Sequence, residues 1–419
     1  VEDVKPEPRF VYLDGVRGLA SLMVALSHYV IAFYTTLLTG LAAQSHFPWD
    51  IALGQSTLIV LYNPNLGVAV FFILSGFVLA ASVAERQPAW PALVLRRWVR
   101  LCLPLLGSTL LIYLALLAGA FHSVQAAAAV TKSPWLVQLY PPLAYTLPLK
   151  DYIWNCLFTV FTSPIGVVQV LNGPLWTMPI ELRGSIVLFA GYCLFADLFR
   201  RARGCFAAAI AAVLLTWHTP YDGFGLGFAL FEIRRGISYL PPGWRHGLGR
   251  AAGPGGLAAL LAGIWCGGTP FALSGWHAAF LARASQIGVN MGILDMQHTG
   301  AALLVIAALL LRPLQRFLSS RLCQYLGRIS FMLYLVQMPV LCSAPLWVFM
   351  HAGHQYHVRA MLALATYLVV AIGIADVTTR LIDQPAIRLS RLATRPPAEV
   401  WRQSKHFFFE KKKQKTFVR

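Results

Sequence analysis

The chain has 419 residues, of which 58% are hydrophobic and 12% charged, and its mean hydropathy is +0.63. So apolar a composition excludes a soluble globule and points to an all-α, polytopic transmembrane helical bundle. The net charge of +18 does not point to nucleic acid as a partner, because the basic residues gather at the ends of apolar runs, as orientation in a bilayer requires.

In chain order, Val1–Arg9 is charged and carries two prolines, and the apolar run behind it is too long for a signal peptide and lacks a small-residue cleavage site. The first span is therefore expected to act as its own insertion signal. It contains Leu13 to His28, LDGVRGLASLMVALSH, with Asp14 and Arg17 at the polar start. Eleven residues of helix put Arg17 and His28 within roughly 20° of one face and about 16 Å apart along the axis. With the apolar run continuing to Leu41, His28 is expected near mid-depth of the bilayer, where a histidine is a functional candidate by default. The plainer reading is a histidine that hydrogen-bonds a neighbouring helix.

Apolar runs over 16–40, 66–84, 101–121, 176–199, 205–218, 223–233, 255–273, 299–311, 329–350 and 359–382 predict about ten spans. Segment 152–171 is apolar enough for an eleventh, and charge argues against it. If it does not cross, Arg96, Arg97, Arg100, Arg200, Arg201, Arg203, Arg312, Arg316, Arg321 and Arg328 all fall on the inner side. The outer side then keeps Lys132, Lys150, Arg283 and Arg359. The expected arrangement has both termini cytoplasmic, with 1–15 as an N-terminal segment. It treats 122–175, with Pro141-Pro142, as an outer interfacial loop, and 389–419 as a basic tail. Lys405 to Arg419 mixes phenylalanines with lysines, a pattern suited to an anionic leaflet or to a disordered tail.

Polar residues inside these runs are the chemical candidates. In the second span, FFILSGF places Ser75-Gly76 near mid-depth; small residues there allow close helix contact, and Ser75 can also donate into a cavity shared with His28. RRWVRLCLP sets Arg96, Arg97 and Arg100 at the inner mouth, suited either to phosphate or to plain anchoring. LWTMPIELRGS sets Trp176, Glu181 and Arg183 near the outer face. Glu181 and Arg183 are two apart on a helix and do not pair with each other. GRISFMLYLVQMP carries Tyr334 and Gln337, the latter at about the depth of His28, and a buried amide needs partners.

Other features carry less. The seven cysteines are scattered through apolar runs with no CxxC and read as small hydrophobes, so neither disulfides nor metal ligands are expected. His351, His354 and His357 lack the spacing of a metal site and read as a solvated loop. Gly223, Gly225 and Gly227 open no phosphate turn and suit close helix packing.

Taken together in order, LDGVRG with His28, FFILSGF, RRWVRLCLP, LWTMPIE, GRISFMLYL and the closing DQP at Asp383 to Pro385 resemble the acyltransferase 3 family of integral-membrane O-acyltransferases, in its fungal style. The resemblance covers about Arg9 to Arg388, and the domain is drawn at 16–388. It implies that Arg17 and His28 are the family's essential pair, that Arg96, Arg97 and Arg100 handle the acyl donor, and that Glu181 is a functional acid. Asp14, Ser75, Trp176, Tyr334 and Gln337 are supporting candidates. The chain departs from the family where many members carry a histidine in the ninth span: Gln337 stands there and cannot act as a base.

On this reading acyl-CoA is a co-substrate and no resident cofactor or metal is required. The partners are the bilayer, acyl-CoA and a hydroxyl-bearing glycan, lipid or small molecule. The competing class is a transporter or flippase that lines a path with His28, Glu181 and Arg183 and makes no bond.

Overall fold

The computed structural model describes residues 10–84, 90–121, 123–139, 148–162, 172–195, 197–353 and 355–392. The expectations for Val1–Arg9, for Pro141-Pro142, for His354 and for the 405–419 tail lie outside the described residues. Described secondary structure is helical throughout, with no strand among the described residues.

Ten helices carry the architecture: α1 (Val11–Phe33), α2 (Pro64–Ala84), α3 (Trp90–Leu117), α4 (Met178–Phe195), α5 (Ala202–Thr216), α6 (Asp222–Ser238), α7 (Pro242–Gly267), α8 (Ile293–Leu310), α9 (Arg321–Leu341) and α10 (Tyr356–Thr378). Each expected apolar run falls on one of them. Seven stretches are long and apolar enough to cross a bilayer, involving α1, α2, α3, α4, α8, α9 and α10. The chain is a multi-pass membrane protein. The three expected spans outside this set are those on α5, at 15 residues, on α6, whose 17 residues include Glu232, Arg234 and Arg235, and on α7, whose first part carries Arg245 and Arg250.

Two groups of apolar side chains hold the bundle. One joins α1, α3, α9 and α10 around Phe33, Leu105, Leu333 and Tyr367; the other joins α1, α2, α6 and α8 around Leu66, Ile73, Phe77 and Val305. In lipid this packing is not driven by escape from water, so close fit matters more. Glycines supply it at α1 and α9: a Cβ on Gly18 would lie 2.5 Å from Gly327 N, and one on Gly327 would lie 2.2 Å from Asp14 O. The two helices run parallel with almost nothing between them. At Gly227, as expected, α6 closes on α2, where a Cβ would lie 2.0 Å from Ile73 O.

Two local features differ from the sequence expectation. Helix α3 begins at Trp90, not near residue 101, so Arg96, Arg97 and Arg100 sit within the helix instead of ahead of it. The outer loop is also more deeply packed than a surface layer. Leu149–Thr162 runs back along α3, with Tyr152 meeting Tyr113 and Leu157 O accepting a hydrogen bond from Trp98 Nε1. The described part of this stretch is fourteen residues, about 21 Å of helix. After α10 the chain widens into a π turn, Thr379–Asp383, before a last helix, α11 (Gln384–Leu392), that lies against α3. Such turns re-aim side chains, and this one ends on Asp383.

Candidate active site

The first part of the site lies where α1 and α9 begin, α2 ends and α3 and α11 pass. A cavity of about 1120 Å³ opens there, lined by Arg17, Arg97, Arg100, Arg321, Arg328 and Arg391 against two aspartates, Asp14 and Asp383. A smaller chamber of about 90 Å³ adjoins it, and Arg17, Ser75, Arg97 and Arg100 line both, forming a neck. Beyond the neck the lining is Glu181, Thr177, Ser330 and Tyr334 with Val68, Phe71, Phe72, Leu101, Met178 and Phe331.

Each polar group at the neck is held by another helix. Arg17 Nε donates to Ser330 Oγ at 3.0 Å and Nη2 to Gly327 O at 3.4 Å, contacts that the glycine-mediated approach of α1 and α9 permits. Arg97 pairs with Glu181 through Nη2 and donates from Nε to Ser185 Oγ at 3.1 Å. Ser75 Oγ lies 2.9 Å and 3.2 Å from the two Glu181 oxygens. Arg100 feels the charges of Asp383, Arg17, Arg97 and Arg96.

These contacts correct the placement of Arg97 and Glu181, expected at opposite ends of their spans. The early start of α3 carries the arginine inward, and Glu181, eight residues past Gly173, reaches it. As expected, Glu181 does not pair with Arg183, which donates instead to Phe161 O and Thr162 O. Ser75 donates to Glu181 in a cavity shared with Arg17 rather than with His28. Arg96 is exposed and lines neither cavity, and Trp176 stands aside with its edge toward Phe72.

The second part of the site is His28, about three turns further along α1. It is half-buried, lines neither cavity, and has the Trp135 ring tilted over it at 5.5 Å. Nδ1 lies 2.9 Å from Val24 O and 3.1 Å from Gln337 Oε1, so the equal depth expected for His28 and Gln337 is realised as a contact. The two parts are linked by α9: Tyr334, which lines the inner chamber and donates to Pro174 O at 3.1 Å, is one turn before Gln337. Sequence reasoning missed Ser330, Thr177, Asp383 as a site member, and Tyr367, whose hydroxyl reaches Gln337 Oε1 at 2.9 Å. Asp383 was visible only within the DQP motif. Tyr367 gave no signal, because a tyrosine in an apolar helix looks the same whether it faces lipid or a buried amide.

Away from this site, His351 Nδ1 donates to Trp347 O at 2.8 Å, and His357 stacks on Phe47 at 3.7 Å.

The chain is thus a helical membrane bundle with an arginine-lined cavity at one end and, on the same helix as one of those arginines, a histidine about three turns further along. The sequence model of the family described as an acyltransferase domain, acyltransferase 3, matches residues 10–380, and the chain belongs to that family. It is an acyltransferase, which decides between group transfer and solute passage in favour of transfer. Among curated proteins, O-acetyltransferase PaAT-1 of Phomopsis amygdali is 24% identical over 437 aligned positions, covering 91% of this chain and 84% of that protein. Acyltransferase clz18 of Cochliobolus lunatus is 22% identical, covering 83% and 87%. Acyltransferase R4 of a Phoma species is 23% identical over half of this chain and 55% of its own length. No solved structure matches.

Proposed function

We propose that the enzyme moves an acyl group from acyl-CoA to a hydroxyl of a small molecule, lipid or glycan, with His28 as general base. The observation that carries this reading is the convergence of Arg17, Arg97 and Arg100 on a neck between a large basic cavity and a narrow, mostly apolar chamber. A CoA thioester has that polarity: phosphates at one end, then a long arm, then an uncharged reacting carbonyl. Six arginines against two aspartates suit the phosphates, since the guanidinium fork matches phosphate oxygens. Positive charge at this end also favours a cytoplasmic orientation with both termini inside, where acyl-CoA is made.

The arm extends past Ser75 and Glu181 toward Tyr334, and the carbonyl arrives near His28. Neutral imidazole Nε2 takes the acceptor hydroxyl proton as the oxygen attacks the thioester carbon, a step typically worth about 10²–10⁴ in rate. The C=O electrons move onto oxygen, and hydrogen-bond donors such as backbone N–H groups stabilise that oxyanion. Collapse re-forms the carbonyl and breaks the C–S bond, and the departing thiolate takes the proton back from the imidazolium. The name of PaAT-1 makes acetyl the first donor to try and a hydroxyl the first acceptor class.

The test is turnover of radiolabelled acetyl-CoA in membranes from cells that express the chain, with a panel of hydroxyl acceptors. Label must move to an acceptor with the wild type and not with His28→Ala at equal protein level. Equal transfer by both proteins rejects His28 as base.

A further inference from the structure

Among the described residues, His28 is gripped through one nitrogen, Nδ1. Val24 O and Gln337 Oε1 both face Nδ1, at 2.9 and 3.1 Å, and a bare nitrogen lone pair beside a helix carbonyl would be repelled. The hydrogen therefore belongs on Nδ1, which leaves the lone pair on Nε2. With Nδ1–H in place, the end of the Gln337 amide that turns toward the ring must be its oxygen.

What keeps that amide turned is Tyr367 of α10. Its hydroxyl shares its single hydrogen between Gln337 Oε1 at 2.9 Å and Ala25 O at 3.1 Å, which ties α10 to α9 and α1 at one point. Gln337 and Tyr367 are both fully buried, so water does not replace either contact. Tyr29 stacks on the Tyr367 ring from α1 at 6.5 Å, and Trp135 lies 5.5 Å from the His28 ring. The titratable groups around the pair are thus Tyr29, Tyr367 and, beside the latter, Cys342.

We infer that Gln337 and Tyr367 are positioning residues: Gln337 Oε1 fixes His28 as the Nδ1–H tautomer with Nε2 free to act, and Tyr367 fixes which end of the Gln337 amide meets the ring. This rests on the reading of His28 as the base. It gives a chemical reason for an amide at this place. A neutral acceptor orients the imidazole without the cost of burying a further charge. It also leaves the imidazolium less stabilised than a carboxylate would, so the proton is released to the leaving thiolate more readily.

Three variants test it in purified full-length protein, with kcat and KM for acetyl-CoA measured across pH. Gln337→Leu is expected to lower kcat roughly tenfold or more, with KM nearly unchanged, because Val24 O alone then holds Nδ1–H and the ring is no longer fixed in one orientation. Gln337→Glu keeps an acceptor on Nδ1. It is expected to recover most of the kcat lost in the Leu variant and to move the acid limb of kcat/KM to higher pH by about one unit or more, since a carboxylate favours imidazolium. Tyr367→Phe is expected to lower kcat by a smaller factor and leave the limb in place. A wild-type kcat in Gln337→Leu overturns the inference. So does an unmoved limb in Gln337→Glu, which is decisive even if the Leu variant does not fold. Absence of turnover in the wild type would instead overturn the acyl-CoA reading beneath it.

Discussion

Removing the Glu181 side chain should expose how strongly the neck depends on opposite charges. Arg97 and Glu181 retain 16% and 12% of their side-chain surface, so both charges are largely withdrawn from solvent. Glu181→Ala deletes the carboxylate that Arg97 and Ser75 both address, and leaves a guanidinium hydrogen-bonded to Ser185 Oγ. Breaking a buried pair from one side costs roughly 3–5 kcal/mol. The residual exposure places this one near 3 kcal/mol, about a hundredfold in the folding equilibrium. Arg97→Ala should cost a similar amount for the mirror reason. The double variant removes both charges, so it should cost far less than the two singles together, with a coupling of roughly 1.5–3 kcal/mol. The assay is equilibrium unfolding in mixed micelles, with the four proteins compared as a double-mutant cycle. If the two single costs add within about 0.5 kcal/mol, the residues do not interact and the geometry assigned to the neck is wrong.

The remaining expectations are more direct. Arg100→Gln should raise the KM for acetyl-CoA about tenfold, the value of one charged hydrogen bond near 1.5 kcal/mol, and weaken its salt dependence. Arg96→Gln, at an exposed position outside both cavities, should leave KM close to the wild type; equal effects at the two sites would refute the assignment. Gly327→Val should destabilise by roughly 1–3 kcal/mol or more in the same unfolding assay, because its Cβ meets the Asp14 carbonyl, which cannot move aside as a side chain can. His28→Gln, which cannot take a proton, should lose roughly 10²–10⁴ of the transfer rate while remaining folded.

The helical bundle and the apolar stretches were legible because lipid demands long apolar helices and little else. Depth was legible too: counting residues along two spans put His28 level with Gln337, and they touch. What a hydropathy reading could not show was that Arg96 to Arg100 lie within a helix. Three arginines lower the local average, so α3 was drawn starting after them, although their long stems let the chain stay helical. The pairing of Arg97 with Glu181, 84 residues apart, leaves no periodic trace in the sequence. Ser330 was hidden inside a motif whose other residues attracted attention, and Asp383 depends on a π turn that composition does not announce.

The stretch of α1 between Arg17 and His28 is unbroken and free of proline. It therefore acts as a rigid ruler, and the gap between Arg17 and His28 is measured by covalent geometry, not by loops that can yield. One residue inserted in that interval would lengthen the gap by about 1.5 Å and swing the imidazole about 100° around the axis. A change of length by a single residue should therefore silence an enzyme that needs Arg17 and His28 in register.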